Sequence, residues 1–78
     1  MKKEILVIVT DRKCEWLQSS QTIIEIQSNE PMENLIRTID KFIEETEYPK
    51  VDVVIDPLNF EFTSDEVEYL FENDIEVY

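Results

Sequence analysis

Between two β-prone runs of this chain, Met32, Leu35, Ile36, Ile39, Phe42 and Ile43 fall at i, i+3, i+4, i+7, i+10 and i+11, one apolar stripe at the 3.6-residue period. A helix there carries the chain back along a sheet, so the strands before and after it must run in the same direction, normally through a right-handed crossover. No other feature restricts the possible folds as much. Start and stop signals frame the stripe: Ser28 or Asn29 can cap the helix, Pro31 fits a first turn that needs no amide donor, and Pro49 ends the pattern. Glu33 with Arg37, and Lys41 with Glu45, stand at i and i+4, and each pair adds only about a few tenths of a kcal/mol.

The rest of the chain divides around this helix. Ile5 to Val9 is a continuous apolar run, which predicts a strand covered on both faces and therefore central. Asp11 to Gln21 is polar and mixed, broken by Cys14, Trp16 and Leu17, and reads as a long loop or a short extra turn. In the next run, Thr22 to Gln27, Ile24 and Ile26 share one face and Glu25 points away. Val51, Val53, Val54 and Ile55 predict a third strand ending at Asp56 and Pro57, and Phe60 and Phe62 around Glu61 suggest a short extended piece. Thr63 and Glu66 have the spacing of a capping box, and Val67, Leu70 and Phe71 give the second helix its apolar face. The chain has no glycine, so Asn73 is the one nearby residue suited to a left-handed helix terminus. Ile75 and Val77, alternating with Glu76, predict a last strand.

The order is thus β-β-α-β-α-β in a single domain spanning residues 1–78. The expected class is α/β, with α+β as the alternative, built as a small four-stranded mixed sheet with two helices. The second and third strands should run parallel, as should the third and last, and the first strand should lie inside. So short a chain can hardly cover two sheet faces, which predicts both helices on one face and leaves the other open to a partner or a second copy.

Charge is distributed along the chain in one direction. Of the formal net charge of -12, the 28 residues after Lys50 carry nine acids and no base, whereas the first thirteen residues are net positive. Self-repulsion on this scale opposes folding while favouring solubility and steering toward basic partners. The apolar fraction of 42% is too high for a disordered acidic tail, so the acids should be held on folded elements. A single cysteine excludes an intramolecular disulfide, and with no histidine the usual zinc patterns are missing. Lys2 and Lys3 before Ile5 resemble the start of a signal peptide, but five apolar residues are too few and no small-residue cleavage site follows. Nothing is long enough to span a bilayer. The expectation is a cytoplasmic protein, in the host cytoplasm if the source is a virus.

On the second helix, Asp65, Glu68 and Glu72 lie at i, i+3 and i+7, opposite Leu70 and Phe71. Early acids complement the helix dipole, but Glu72 and Asp74 sit at its negative end, where a base is expected. Local rules broken without compensation point to function. Proteins that grip nucleic acid use Lys and Arg to displace counterions from phosphates, so a fixed file of carboxylates can occupy the same groove. In size and charge the chain resembles small acidic inhibitors of DNA-acting enzymes, among them anti-restriction and anti-CRISPR proteins and inhibitors of uracil-DNA glycosylase. The resemblance is one of composition, and no motif residues are carried over.

The expected function is therefore a non-enzymatic binding protein, a nucleic-acid mimic and inhibitor that docks carboxylates on the basic surface of a nucleic-acid-acting protein. Its partner-binding residues are expected to be Glu61, Asp65, Glu66, Glu68, Glu72, Asp74 and Glu76, with Trp16 as an aromatic anchor. No catalytic residue, metal, cofactor, membrane or direct nucleic-acid contact is expected. Cys14, with neither a histidine nor a second cysteine, lacks the partners of a catalytic thiol. The alternative is a structural or interaction subunit that pairs through its open sheet face or an edge strand, as a homodimer for instance. A third reading is an Mg²⁺-dependent phosphoryl hydrolase using Asp11 and Asp56 at strand ends, with Glu61, Asp65 or Glu66 completing the shell.

Overall fold

The computed structural model describes residues 2–11, 18–49 and 51–78. Six elements follow in the expected order: β1 (Lys2–Asp11), β2 (Ser19–Gln27), α1 (Met32–Thr46), β3 (Val51–Pro57), α2 (Ser64–Glu72) and β4 (Ile75–Val77). The strands form one mixed sheet in the order β2-β1-β3-β4, making a small α+β fold. β1 pairs antiparallel with both β2 and β3, and β3 pairs parallel with β4. The second and third strands do run in the same direction, but β1 lies between them. The first strand takes that place because its apolar run gives it side chains to bury beside two neighbours.

Register decides which residues meet. Val7 stands opposite Thr22 and Ile55, and Val9 opposite Ser20 and Val53. Because side chains alternate across a strand, Ile5, Val7 and Val9 project to one face with Ile24, Ile26, Val53, Ile55 and Ile75. Leu35 and Ile39 of α1 and Leu70 of α2 belong to the same buried cluster, so both helices cover that single face. Ile5, Val7, Val9, Leu35, Ile39, Ile55 and Leu70 are fully excluded from solvent.

The opposite face carries no described element. β1 is therefore central in the strand order but is not covered on both sides: Leu6 and Ile8 point to the open face and stay only half-buried.

Several local details depart from the sequence reading. Neither Ser28 nor Asn29 caps α1. Pro31 is the N-cap, with no side-chain hydrogen bond, and Glu30 instead folds back to accept from the Gln27 amide at 3.0 Å. The Glu33–Arg37 and Lys41–Glu45 pairs do not close; the ion pair formed among the described residues is Lys2–Glu25, at 3.5 Å on the surface. Phe60 and Phe62 lie in a loop, not a strand, where their rings pack edge to face at 4.8 Å and the Lys3 ammonium sits 5.0 Å from the Phe60 centroid.

Asn59 in that loop acts as a strand residue would. Its side chain accepts from the Glu4 amide at 2.9 Å and donates to the Lys2 carbonyl at 3.0 Å, while the Leu58 amide donates to the Glu4 carbonyl. A second tie joins Ser20 on β2 to the Tyr48 hydroxyl after α1, at 2.9 Å.

Without glycine, the two left-handed positions among the described residues fall to acids. Asn73 is the C-cap of α2 at a φ of -100°, and its neighbour Asp74 takes the left-handed position at 62°. Asn73 spends its side chain differently, donating to the Tyr69 carbonyl at 2.8 Å. Glu47 closes α1 at a φ of 60°, its amide donating to the Glu44 carbonyl. A non-glycine residue pays about 1 kcal/mol for this conformation. Glu47→Gly, at an exposed position, should therefore raise the unfolding free energy by roughly 0.5 to 1 kcal/mol. Urea denaturation measures this, and an unchanged midpoint would mean that Glu47 makes a compensating contact.

Candidate acidic interface

α2 is the firmest platform for the acids. The Glu66 amide donates to the Thr63 hydroxyl at 3.2 Å and the Thr63 amide donates to Glu66 Oε1 at 2.9 Å, so the capping box forms in both directions. Leu70 anchors the helix in the core. With about 100° of rotation per residue, Asp65, Glu68 and Glu72 then lie on the side away from the sheet. All three are exposed, and none takes part in the hydrogen bonds and ion pair found among the described residues. The helix has no basic residue in its last turn.

Other candidates take different places. Glu66 is half-buried, with one carboxylate oxygen occupied by the cap, so it holds the platform more than it belongs to the surface. Glu61 is exposed in the loop before α2. Glu76, alternating with the inward Ile75 and opposite Val54, points to the open sheet face. The candidates are thus divided between opposite layers of the molecule: Asp65, Glu68 and Glu72 on the outer row of α2, and Glu76 beyond the sheet. Asp74 lies at the junction, where it lines a cleft of about 370 Å³ with Asp52, Glu76, Val53, Val54 and Phe71.

Phe71 was expected to be an inward residue of α2, yet it is 69% exposed, and Val67 is 38% exposed. A nine-residue helix resting on the sheet margin buries a narrow stripe centred on Leu70, and Phe71 lies about a quarter-turn off it. Trp16 and Cys14 lie outside the described residues.

Asp11 and Asp56 are not brought together. Asp11, 8% exposed at the end of β1, alternates with Val9 and so lies on the helix-covered face. Asp56, opposite Leu6, lies on the open face. The five-residue offset along β1 separates them by about 16 Å. No group of three or more metal-ligating side chains forms among the described residues, and no helix there is long and apolar enough to cross a membrane.

Aliphatic residues not anticipated as part of a site, Leu6, Ile8, Ile23 and Val54, gather on the open sheet face beside Asp56 and Glu76. Leu6 stands between Ile23 and Asp56, and Ile8 between Gln21 and Val54, with Glu76 next to Val54. Glu4 and Glu25 form the following row. The signal was present in β1 as apolar residues at positions where an antiparallel sheet with one wet face would alternate to polar.

No protein-family model, no curated protein and no solved structure matches this chain.

The dipole argument can be tested on α2. Glu72→Lys should stabilise the protein by about 0.3 to 1 kcal/mol by placing a cation at the negative end of the helix, whereas Thr63→Ala should remove about 1 kcal/mol with the cap. Denaturant titration of both variants reads the difference. A destabilised Glu72→Lys protein would show that this carboxylate already has a stabilising partner.

Proposed function

We propose that this protein is a non-enzymatic binding protein that presents the outer row of α2 to a basic, nucleic-acid-binding surface of another protein and inhibits it by occupying the place of phosphates. The observation that carries this reading is the combination on α2 of a doubly fastened N-terminus, a buried anchor in Leu70, and three outward carboxylates at Asp65, Glu68 and Glu72 without counter-charge among the described residues. Fixed carboxylates lose little entropy on docking, and a basic groove that releases counterions from nucleic acid gains the same charge neutralisation from them. Glu61 is exposed in the loop before the helix, and Glu66 fastens the helix N-terminus through the cap. The setting that goes with this reading is the cytoplasm, where nucleic-acid-acting targets are reached.

Association should be fast and should weaken as salt rises. Capture from a cell lysate at low and high salt identifies the partner, and displacement of a labelled duplex from that partner measures inhibition. The double reversal Glu68→Lys/Glu72→Lys should reduce displacement by roughly tenfold or more while circular dichroism shows an unchanged fold. Equal displacement by this variant at low salt would refute mimicry by α2.

A further inference from the structure

Among the described residues the sheet is covered on one face only, and the other face has a composition suited to being covered. Leu6, Ile8, Ile23 and Val54 form a diagonal across three adjacent strands: Leu6 pairs with Ile23, Ile8 pairs with Val54, and Leu6 and Ile8 are neighbours on the same side of β1. None of the four belongs to the core cluster or packs against it. Ile23 is 60% exposed. Tyr78 extends this surface at the far edge: its amide donates to the Ile55 carbonyl, continuing the alternation of β4 by one residue, and the side chain is 90% exposed.

The rim determines what can cover this stripe. Glu4, Glu25, Asp56 and Glu76 surround it on the same face, against one cation among the described residues there, Lys2, which is 3.5 Å from Glu25. A second copy stacked face to face would bring the apolar stripes together but would also set these acids against their equivalents, in a chain of net charge -12. A partner with an apolar stripe between Lys or Arg flanks satisfies both parts of the surface at once. The other side of the same sheet shows which element fits a surface of this shape and width, since α1 and α2 cover it through aliphatic stripes.

We propose that the open sheet face is a second docking surface, whose occupant is a cationic amphipathic helix of another protein, laid along the Ile23–Leu6–Ile8–Val54 diagonal with its basic flanks against Glu4, Glu25, Asp56 and Glu76. This surface is on the layer opposite the outer row of α2 and shares none of those residues. It therefore stands or falls independently of the phosphate-mimic reading.

The test uses the full chain, isotope-labelled for amide NMR, titrated with a synthetic Leu/Lys peptide of about 18 residues whose leucines recur at i, i+3, i+4 and i+7. A scrambled peptide of identical composition is the control for charge alone. The amphipathic peptide should shift the amides of Leu6, Ile8, Ile23 and Val54 and bind roughly tenfold more tightly than the scramble. Ile23→Glu should weaken it by a similar factor, and because Ile23 is mostly exposed the fold should survive. Ile23→Gln, which removes the apolar contact without adding charge, should weaken it less but measurably.

Equal affinity for the scrambled peptide, or shifts confined to α2, would overturn the proposal. So would a free chain that sediments as a dimer with the Ile23 face protected. Glu68→Lys/Glu72→Lys should leave peptide affinity within about twofold. If that variant abolishes peptide binding, the sheet face is not the site; if it binds the peptide normally yet displaces duplex like the wild type, the α2 reading alone fails.

Discussion

The double pairing of β1 is the constraint on which the other elements depend. It places three fully buried aliphatic residues, Ile5, Val7 and Val9, in the middle of the sheet, with β2 and β3 aligned on either side. Those registers put Ile24, Ile26, Val53 and Ile55 on one face, and that face in turn tells α1 and α2 where to lie. A slip of one residue would exchange Ile5, Val7 and Val9 for Leu6 and Ile8 and turn every neighbouring strand inside out. Asn59, bonded to Lys2 and Glu4 on the backbone of β1, opposes such a slip at one end of the strand.

Charge is arranged around this core at the expense of local stability. α2 has no base near its C-terminus, and the two left-handed turns fall to Glu47 and Asp74. A domain of this size has little stability to lose. Its core can tolerate these choices because, Asp11 apart, the described acids lie outside it, with Glu4, Glu25, Asp56 and Glu76 on the open face and the α2 row on the far side of the helix layer. The sheet separates the two acidic surfaces, which lowers their mutual repulsion and lets each keep its own geometry.

Patterns that repeat were legible in the sequence. The stripe from Met32 to Ile43, the strand runs and the Thr63–Glu66 cap identified every element, because periodicity and capping are local properties. Strand order was legible only in part: the apolar run Ile5–Val9 placed β1 inside the sheet, but nothing local named β2 and β3 as its two neighbours. Phe71 was misplaced for a related reason, since a helical wheel gives the angle between residues and not the width of the surface the helix rests on. Asp74, not Asn73, took the left-handed turn because the Asn73 side chain had a better partner in the Tyr69 carbonyl. Of the candidate site, the α2 row could be read directly. The acids and aliphatics of the open face come from four separate strands, and only the strand registers bring them together.

The insertion of β1 between β2 and β3 also bears on synthesis. During translation the run Ile5–Val9 emerges early, but one of its two ladders cannot form until Val51–Pro57 has left the ribosome. Through that interval one edge of a highly β-prone strand stands unpaired, the state most prone to associate with other chains. The charged residues made meanwhile are mostly acidic, with eight acids to three bases from Cys14 to Lys50. Chains waiting for their third strand therefore repel one another. An excess of acids thus favours the solubility of the unfinished chain before the nine acids after Lys50 are added.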